Sequence, residues 1–271
     1  MIRKLLANEL SELLTKRNKT KYIYDLNVLH NIGNPDLAVT DVFGYSVNND
    51  IAIISVFCFD GCKIYFEISD FNNLHHIYKG IEGTIRKHNE ILLSSDSEAL
   101  FQNSEFIKLF GKHDTQKSEQ YGMFNIDKNN KIDKRIRKLT IEDEKLVLSF
   151  SEPIMKYHDN LRNTYETRIK TLDRKYLIYG YIDKHLGILG YLIANTLDGQ
   201  YWDIAYIYVA ENARGQGIAK KLAIFYANDI SSKGYFASYG TPENEISKHV
   251  AVSAGFDMFL REYLTQWIVT I

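Results

Sequence analysis

Apolar positions open the chain at helical spacing: Ile2, Leu5, Leu6, Leu10, Leu13 and Leu14 fall on one face and predict an amphipathic helix. Three runs rich in β-branched and aromatic residues follow at 42–47, 51–59 and 62–68 and read as strands. Asp60-Gly61, between the last two, is a strong hairpin signal. Asp70 is placed to cap a helix reaching about Lys87, with Leu74, Ile77, Ile81 and Ile85 along one side. A strand near 90–93, a helix over 97–109 and a strand around 121–126 complete the first half. The polar run from Asp127 to Arg135, with Asn129-Asn130 as a turn, reads as a linker, so a boundary is expected near residue 130.

The second half opens with a short strand at 135–139. Thr140 to Asp143 resembles a capping box with Asp in place of the usual Glu or Gln. A helix over 161–172, a hairpin from 176–182 and 186–194, and a long strand at 202–209 come next. A glycine-containing turn leads into a helix bearing Leu222, Ile224, Phe225 and Ile230; a strand at 235–239, a helix at 243–254 and a strand at 261–268 follow. The order β-α-α-β-β-β-α-β-α-β predicts an α+β fold around a mixed sheet flanked by helices, preceded by a smaller α+β domain. The expected domains are residues 1–130 and 131–271. Both halves run loosely from strands to helices, which leaves a duplicated, degenerate fold open.

Composition narrows the function. The 271 residues carry 33 Lys+Arg and 34 Asp+Glu, a formal charge of −1 that gives no excess base for phosphate backbones and argues against nucleic acid as a partner. Apolar runs fall far short of the roughly 20 residues a membrane helix needs, and Glu9 and Glu12 interrupt the N-terminal pattern, making it a poor signal peptide. A cytoplasmic protein with no membrane partner is therefore expected. Cys58 and Cys62, the two cysteines, offer neither a disulfide framework nor a zinc ribbon and are expected to pack as small apolar residues. The adjacent His75 and His76 point apart on a helix, so no metal is assigned.

The informative stretch runs from Trp202 to Leu222. A strand feeds a turn containing Gly215 and Gly217 that opens a helix, whose unpaired N–H groups and dipole make a phosphate site, with Arg214 and Lys220 adding charge. The turn lacks both the P-loop spacing and G-x-G-x-x-G, since position 220 is Lys. Val209 to Ala219 instead match V-x-x-x-x-R-G-x-G-[IL]-[GA], and Asn244, Ser247 and Gly255-Phe256 match N-x-x-[AS]-x(7)-G-F. Residues 134–271 thereby resemble the GNAT superfamily of acyl-CoA-dependent N-acyltransferases. The pairing of Ser247 with Ala251 looks like the zwittermicin-resistance-type branch of that superfamily.

The resemblance implies acetyl-CoA as acyl-donor cosubstrate, bound as pantetheine along the backbone of Ile207, Tyr208 and Val209. It places the pyrophosphate on the backbone of Arg214, Gly215, Gln216, Gly217, Ile218 and Ala219. Asn244 would contact the cosubstrate near its reactive end, and Ser247 is a further cofactor-binding position. Asp203 matches the position of a general base, and period-two alternation puts it on the face of Ala205, Ile207 and Val209; it also reads as a strand-start carboxylate or a partner for a lysine. Many members carry a tyrosine seven residues after the asparagine to protonate the leaving thiolate; here that residue is Ala251, with His249, Tyr239 and Tyr263 as substitutes.

The expected activity is acetyl transfer from acetyl-CoA to a primary amine of a small molecule. A longer acyl donor, a non-catalytic acyl-CoA-binding or regulatory module, and another kind of nucleotide-binding protein are the alternatives. Family habit also suggests a homodimer.

Overall fold

The computed structural model describes residues 2–32, 39–58, 61–124, 133–150, 155–196 and 199–268. Its first strand, Arg3–Leu5 (β1), lies where the apolar period suggested a helix, and the helix Ala7–Lys16 (α1) starts only afterwards. Leu5 is buried as a strand residue, and of the periodic set only Leu10 and Leu14 form the fully buried face of α1. A helix that the pattern did not reveal follows, Ile23–His30 (α2). Then come Val39–Val47 (β2), Asp50–Phe57 (β3), Gly61–Glu67 (β4), Leu74–Ile85 (α3) and Glu90–Ser95 (β5). The helix expected over 97–109 is two, Glu98–Gln102 (α4) and Ser104–Phe110 (α5), because the Asn103 carboxamide oxygen accepts the N–H groups of Glu105 and Phe106 and restarts the helix. Gln116–Met123 (β6) follows. Asp60, half of the expected hairpin turn, and the stretch around residue 130 lie outside the described residues.

Ile136–Lys138 (β7) leads into the Thr140 box: the Thr140 hydroxyl accepts the Glu142 N–H and the Asp143 carboxylate accepts that of Thr140. Glu144–Ser149 (α6) and Met155–Thr164 (α7) follow, and α7 passes into a π-helical turn at Tyr165–Ile169. The remaining elements are Tyr176–Asp183 (β8), Gly187–Thr196 (β9), Tyr201–Val209 (β10), Ile218–Ser232 (α8), Phe236–Gly240 (β11), Glu245–Ser253 (α9) and Asp257–Ile268 (β12).

Contacts divide the chain into two units, Met1–Glu119 with Phe259–Ile271, and Gln120–Met258. In the first, the strand order is β1-β2-β3-β4-β5-β12, with β4 and β5 parallel and the other pairs antiparallel. In the second, the order is β7-β8-β9-β10-β11-β6, with β10 and β11 parallel and the rest antiparallel. The two units thus have one strand topology, and each takes its sixth strand from the other half of the sequence. In the second unit α8 packs Ile218, Leu222, Tyr226 and Ile230 onto one sheet face, while Tyr165, Phe150 and Tyr191 fill the other. Each such fully buried side chain stabilises the unit by about 1.5–3 kcal/mol. Among the described residues no helix is long and apolar enough to cross a membrane.

Candidate functional site

β10 and β11 pair at three positions, Tyr201↔Phe236, Trp202↔Ala237 and Asp203↔Ser238, and then part although β10 continues to Val209. Each strand carries an irregularity at the parting. Ala205 has no register partner between Ile204 and Tyr206 on the β9 side, and Tyr239 none between Ser238 and Gly240 on the β6 side. Bulges add local twist and end pairing, which accounts for the fork. Its crotch is tied by Tyr226 of α8, whose hydroxyl lies 2.7 Å from the Trp202 carbonyl oxygen and 3.1 Å from that of Ser238. Beyond the fork a cleft of about 780 Å³ opens, ample for an extended ligand.

One wall of the cleft is β10. Ala210 donates its N–H to Leu189 O on the β9 side (2.9 Å), so alternation turns the N–H and C=O groups of Ile207 and Val209 toward the fork. Ile207, Tyr208 and Val209 all line the cleft. The Val209 carbonyl is held by Arg214 Nε (3.2 Å), which fixes that guanidinium at the strand end.

The turn before α8 forms the mouth. Gly215 and Gly217 have φ of +77° and +70°, where a Cβ is strained, yet a Cβ at either would meet no atom within 4 Å. Backbone handedness, not crowding within the chain, therefore demands glycine here. Lys221 is the first residue of α8 whose N–H finds a helical acceptor, Gly217 O at 3.0 Å, which leaves the opening-turn donors without one. Arg214, Gly215, Gly217, Ile218 and Ala219 line the cleft; Gln216 is exposed and does not.

The second motif marks the beginning and end of α9. The Asn244 carboxamide oxygen accepts the Ser247 N–H (2.9 Å) as the helix cap, and both residues line the cleft. Gly255, at φ +94°, ends the helix, with the Phe256 N–H returning to Ala251 O (3.1 Å). Glu243, Ile246 and Thr241 also line the cleft; they lie at helix and loop positions that no periodic signal distinguishes.

Asp203 sits at the fork itself. Its carboxylate lies against Gly240, where a Cβ would come within 3.0 Å of Oδ1. The residue is half-buried, but Oδ1 is out of solvent and has no hydrogen-bond partner among the described residues. Burial pushes its pKa from 3.8 up to about 6, opposed only in part by the Ser238 hydroxyl and the Ile204 N–H. The bulge corrects one expectation. Asp203 is opposite Asn195 and Tyr206 opposite Ile193, whereas Ile207 and Val209 are opposite Leu192 and Gly190. One extra residue reverses the alternation, so Asp203 shares the face of Tyr206 and Tyr208, not that of Ile207 and Val209.

Ala251 is wholly buried in the core, not at the cleft surface. Of the three substitutes, Tyr239 and His249 line the cleft, and Tyr263 belongs to β12 of the other unit, opposite Ser95. The Tyr239 hydroxyl lies 3.2 Å from Ser247 Oγ, and burial raises its pKa above the ordinary 10. Cys62 is buried and its thiol is pushed up to about 12, but Cys58 is exposed just past β3, contrary to the expected apolar packing of both. Among the described residues no three His, Cys, Asp or Glu side chains gather as a metal centre requires.

The forked strands β10 and β11 and the glycine turn before α8 thus border one cleft. Residues 142–256 match the acetyltransferase (GNAT) family and form a domain of that family, which implies acyl transfer from acyl-CoA. Solved structures similar in fold include a GNAT-family acetyltransferase from Colwellia psychrerythraea, at 18% identity and TM-score 0.52, covering 98% of this chain and 99% of that one. A GCN5-related N-acetyltransferase from Sphaerobacter thermophilus is similar at 12% identity and TM-score 0.51, covering 98% of this chain and 94% of that one. No curated protein matches the chain by sequence.

Proposed function

We propose that the protein moves an acetyl group from acetyl-CoA to a primary amine of a small molecule, in the cleft between β10 and β11. The observation that carries this reading is the fork: two backbone edges part at paired bulges and lead to a turn whose N–H groups have no helical acceptor. Such a cleft offers hydrogen bonds to an amide-bearing arm along Ile207 and Val209 and a positive helix end to its phosphates. Asn244 and Ser247 border the same space.

Acetyl-CoA supplies a thioester already activated toward nitrogen. The chain's part is alignment and proton transfer. Asp203, with a carboxyl brought near 6, is ionised at neutral pH and basic enough to take a proton from the amine through a water molecule. The near-balanced charge favours a small acceptor over a basic polypeptide tail. The same balance favours a protein that acts without nucleic acid.

The test is release of free thiol from acetyl-CoA across a panel of primary amines, with propionyl- and longer acyl-CoA run beside it. Amine-dependent release supports the reading, and release with none of the amines contradicts it. A second reading, a non-catalytic acyl-CoA-binding module, is favoured by the buried Ala251 at the tyrosine position. That reading gives coenzyme A binding without turnover on any amine.

A further inference from the structure

The first unit repeats the second unit's strand order but differs at the two places that make the cleft. β4 and β5 stay paired through six positions, from Gly61↔Glu90 to Phe66↔Ser95, where β10 and β11 part after three. In the second unit residues 214–217 separate the short helix Glu211–Ala213 from α8; in the first, Phe71–Asn73 runs directly into α3 at Leu74. The glycine segment thus has no counterpart.

The donors that remain at this end of the first unit already hold an anion. The Asp50 carboxylate, 1% exposed, accepts the Ser69 N–H (2.7 Å), the Ser69 hydroxyl (2.7 Å), the Asp70 N–H (3.2 Å) and the Asn73 side-chain amide (2.7 Å). Burial alone would raise the Asp50 pKa, but these four donors outweigh it and hold the group below its ordinary value, so it stays ionised. A buried carboxylate with four donors is the chain's own substitute for an external anion.

We propose that the first unit is a second copy of the acyl-CoA scaffold whose ligand end is closed by Asp50, so that the chain binds one acyl-CoA, in the cleft of the second unit. This rests on the acyl-CoA reading of that cleft. The copy keeps the sheet and the strand-to-helix connection, lacks the fork and the glycine turn, and commits the Ser69 and Asp70 N–H groups to Asp50 where the cosubstrate's phosphates would sit.

Two measurements on the full chain test it. Calorimetric titration with coenzyme A gives one site per chain, and Gly217→Val removes it. Two sites, or binding that persists in Gly217→Val, overturns the proposal; no binding by the wild type overturns the acyl-CoA reading beneath it. Independently, Asp50→Ala lowers Tm by roughly 5–10 °C, and millimolar formate, a carboxylate small enough for the vacated space, recovers part of that loss without moving the wild type. Asp50→Asn, which keeps the shape without the charge, lowers Tm less and gains nothing from formate. An Asp50→Ala protein as stable as the wild type, or one indifferent to formate, contradicts the role given to Asp50.

Discussion

Replacing Asp203 with Asn removes a charge that the fold holds at a disadvantage. Burial moves the carboxyl from 3.8 to about 6, which corresponds to at most about 3 kcal/mol of stability withheld from the ionised form. The sign follows from proton binding. Between pH 4 and 6 the folded chain holds this proton more tightly than the unfolded chain, so its contribution to stability falls as pH rises. Below about pH 4 both states are protonated and the penalty vanishes. Above about pH 6 the penalty is complete. Asp203→Asn therefore gains on the wild type as pH rises, by roughly 5–10 °C in Tm at pH 8 relative to pH 4. Differential scanning calorimetry of both proteins across that range measures it. Under the proposed function the same variant loses about 10²–10⁴ in kcat/KM, and the wild type shows an acid limb near pH 6. Parallel Tm profiles for the two proteins would refute the buried-charge argument, and unchanged turnover would refute the base assignment.

Gly217→Ala places a Cβ at φ +70° and should lower stability by about 1–2 kcal/mol while weakening coenzyme A binding at least tenfold, read by urea melts and titration calorimetry. Tyr226→Phe leaves the Trp202 and Ser238 carbonyls at the fork without their shared donor, a loss of about 1–3 kcal/mol in urea unfolding. Ala251→Tyr overfills the core around a wholly buried methyl group; it should destabilise by about 1–3 kcal/mol and leave thiol release no faster, since the position does not face the cleft.

The fold was legible where local chemistry is one-dimensional. The strands at 202–209 and 176–194, the Asp70 and Thr140 caps, and the beginning and end of α9 all follow from side-chain type and spacing. What escaped depended on partners distant in sequence. Arg3–Leu5 is a strand because Gly44 and its neighbours pair with it, and nothing in the apolar period reveals that. The bulge at Ala205 carries no sequence mark, yet it reverses the face of Asp203. Tyr226, which the apolar pattern of α8 did not single out, closes the fork with its hydroxyl. The glycine turn and the Asn244 cap were legible because positive φ and helix ends restrict residue choice strongly. Asp203 was singled out by its place on the strand, but its raised pKa arises from burial against Gly240, which only the assembled sheet supplies.

Thermal unfolding with acetyl-CoA, coenzyme A, ATP and NAD in parallel addresses the cleft most directly. A ligand at a hundred times its Kd adds about 2.7 kcal/mol, which for a chain of this size raises Tm by roughly 5–10 °C. A rise with acetyl-CoA and coenzyme A, and none with ATP or NAD, is the predicted result. No rise with either coenzyme A ligand, or an equal one with ATP, would contradict the assignment of the fork between β10 and β11 as an acyl-CoA site.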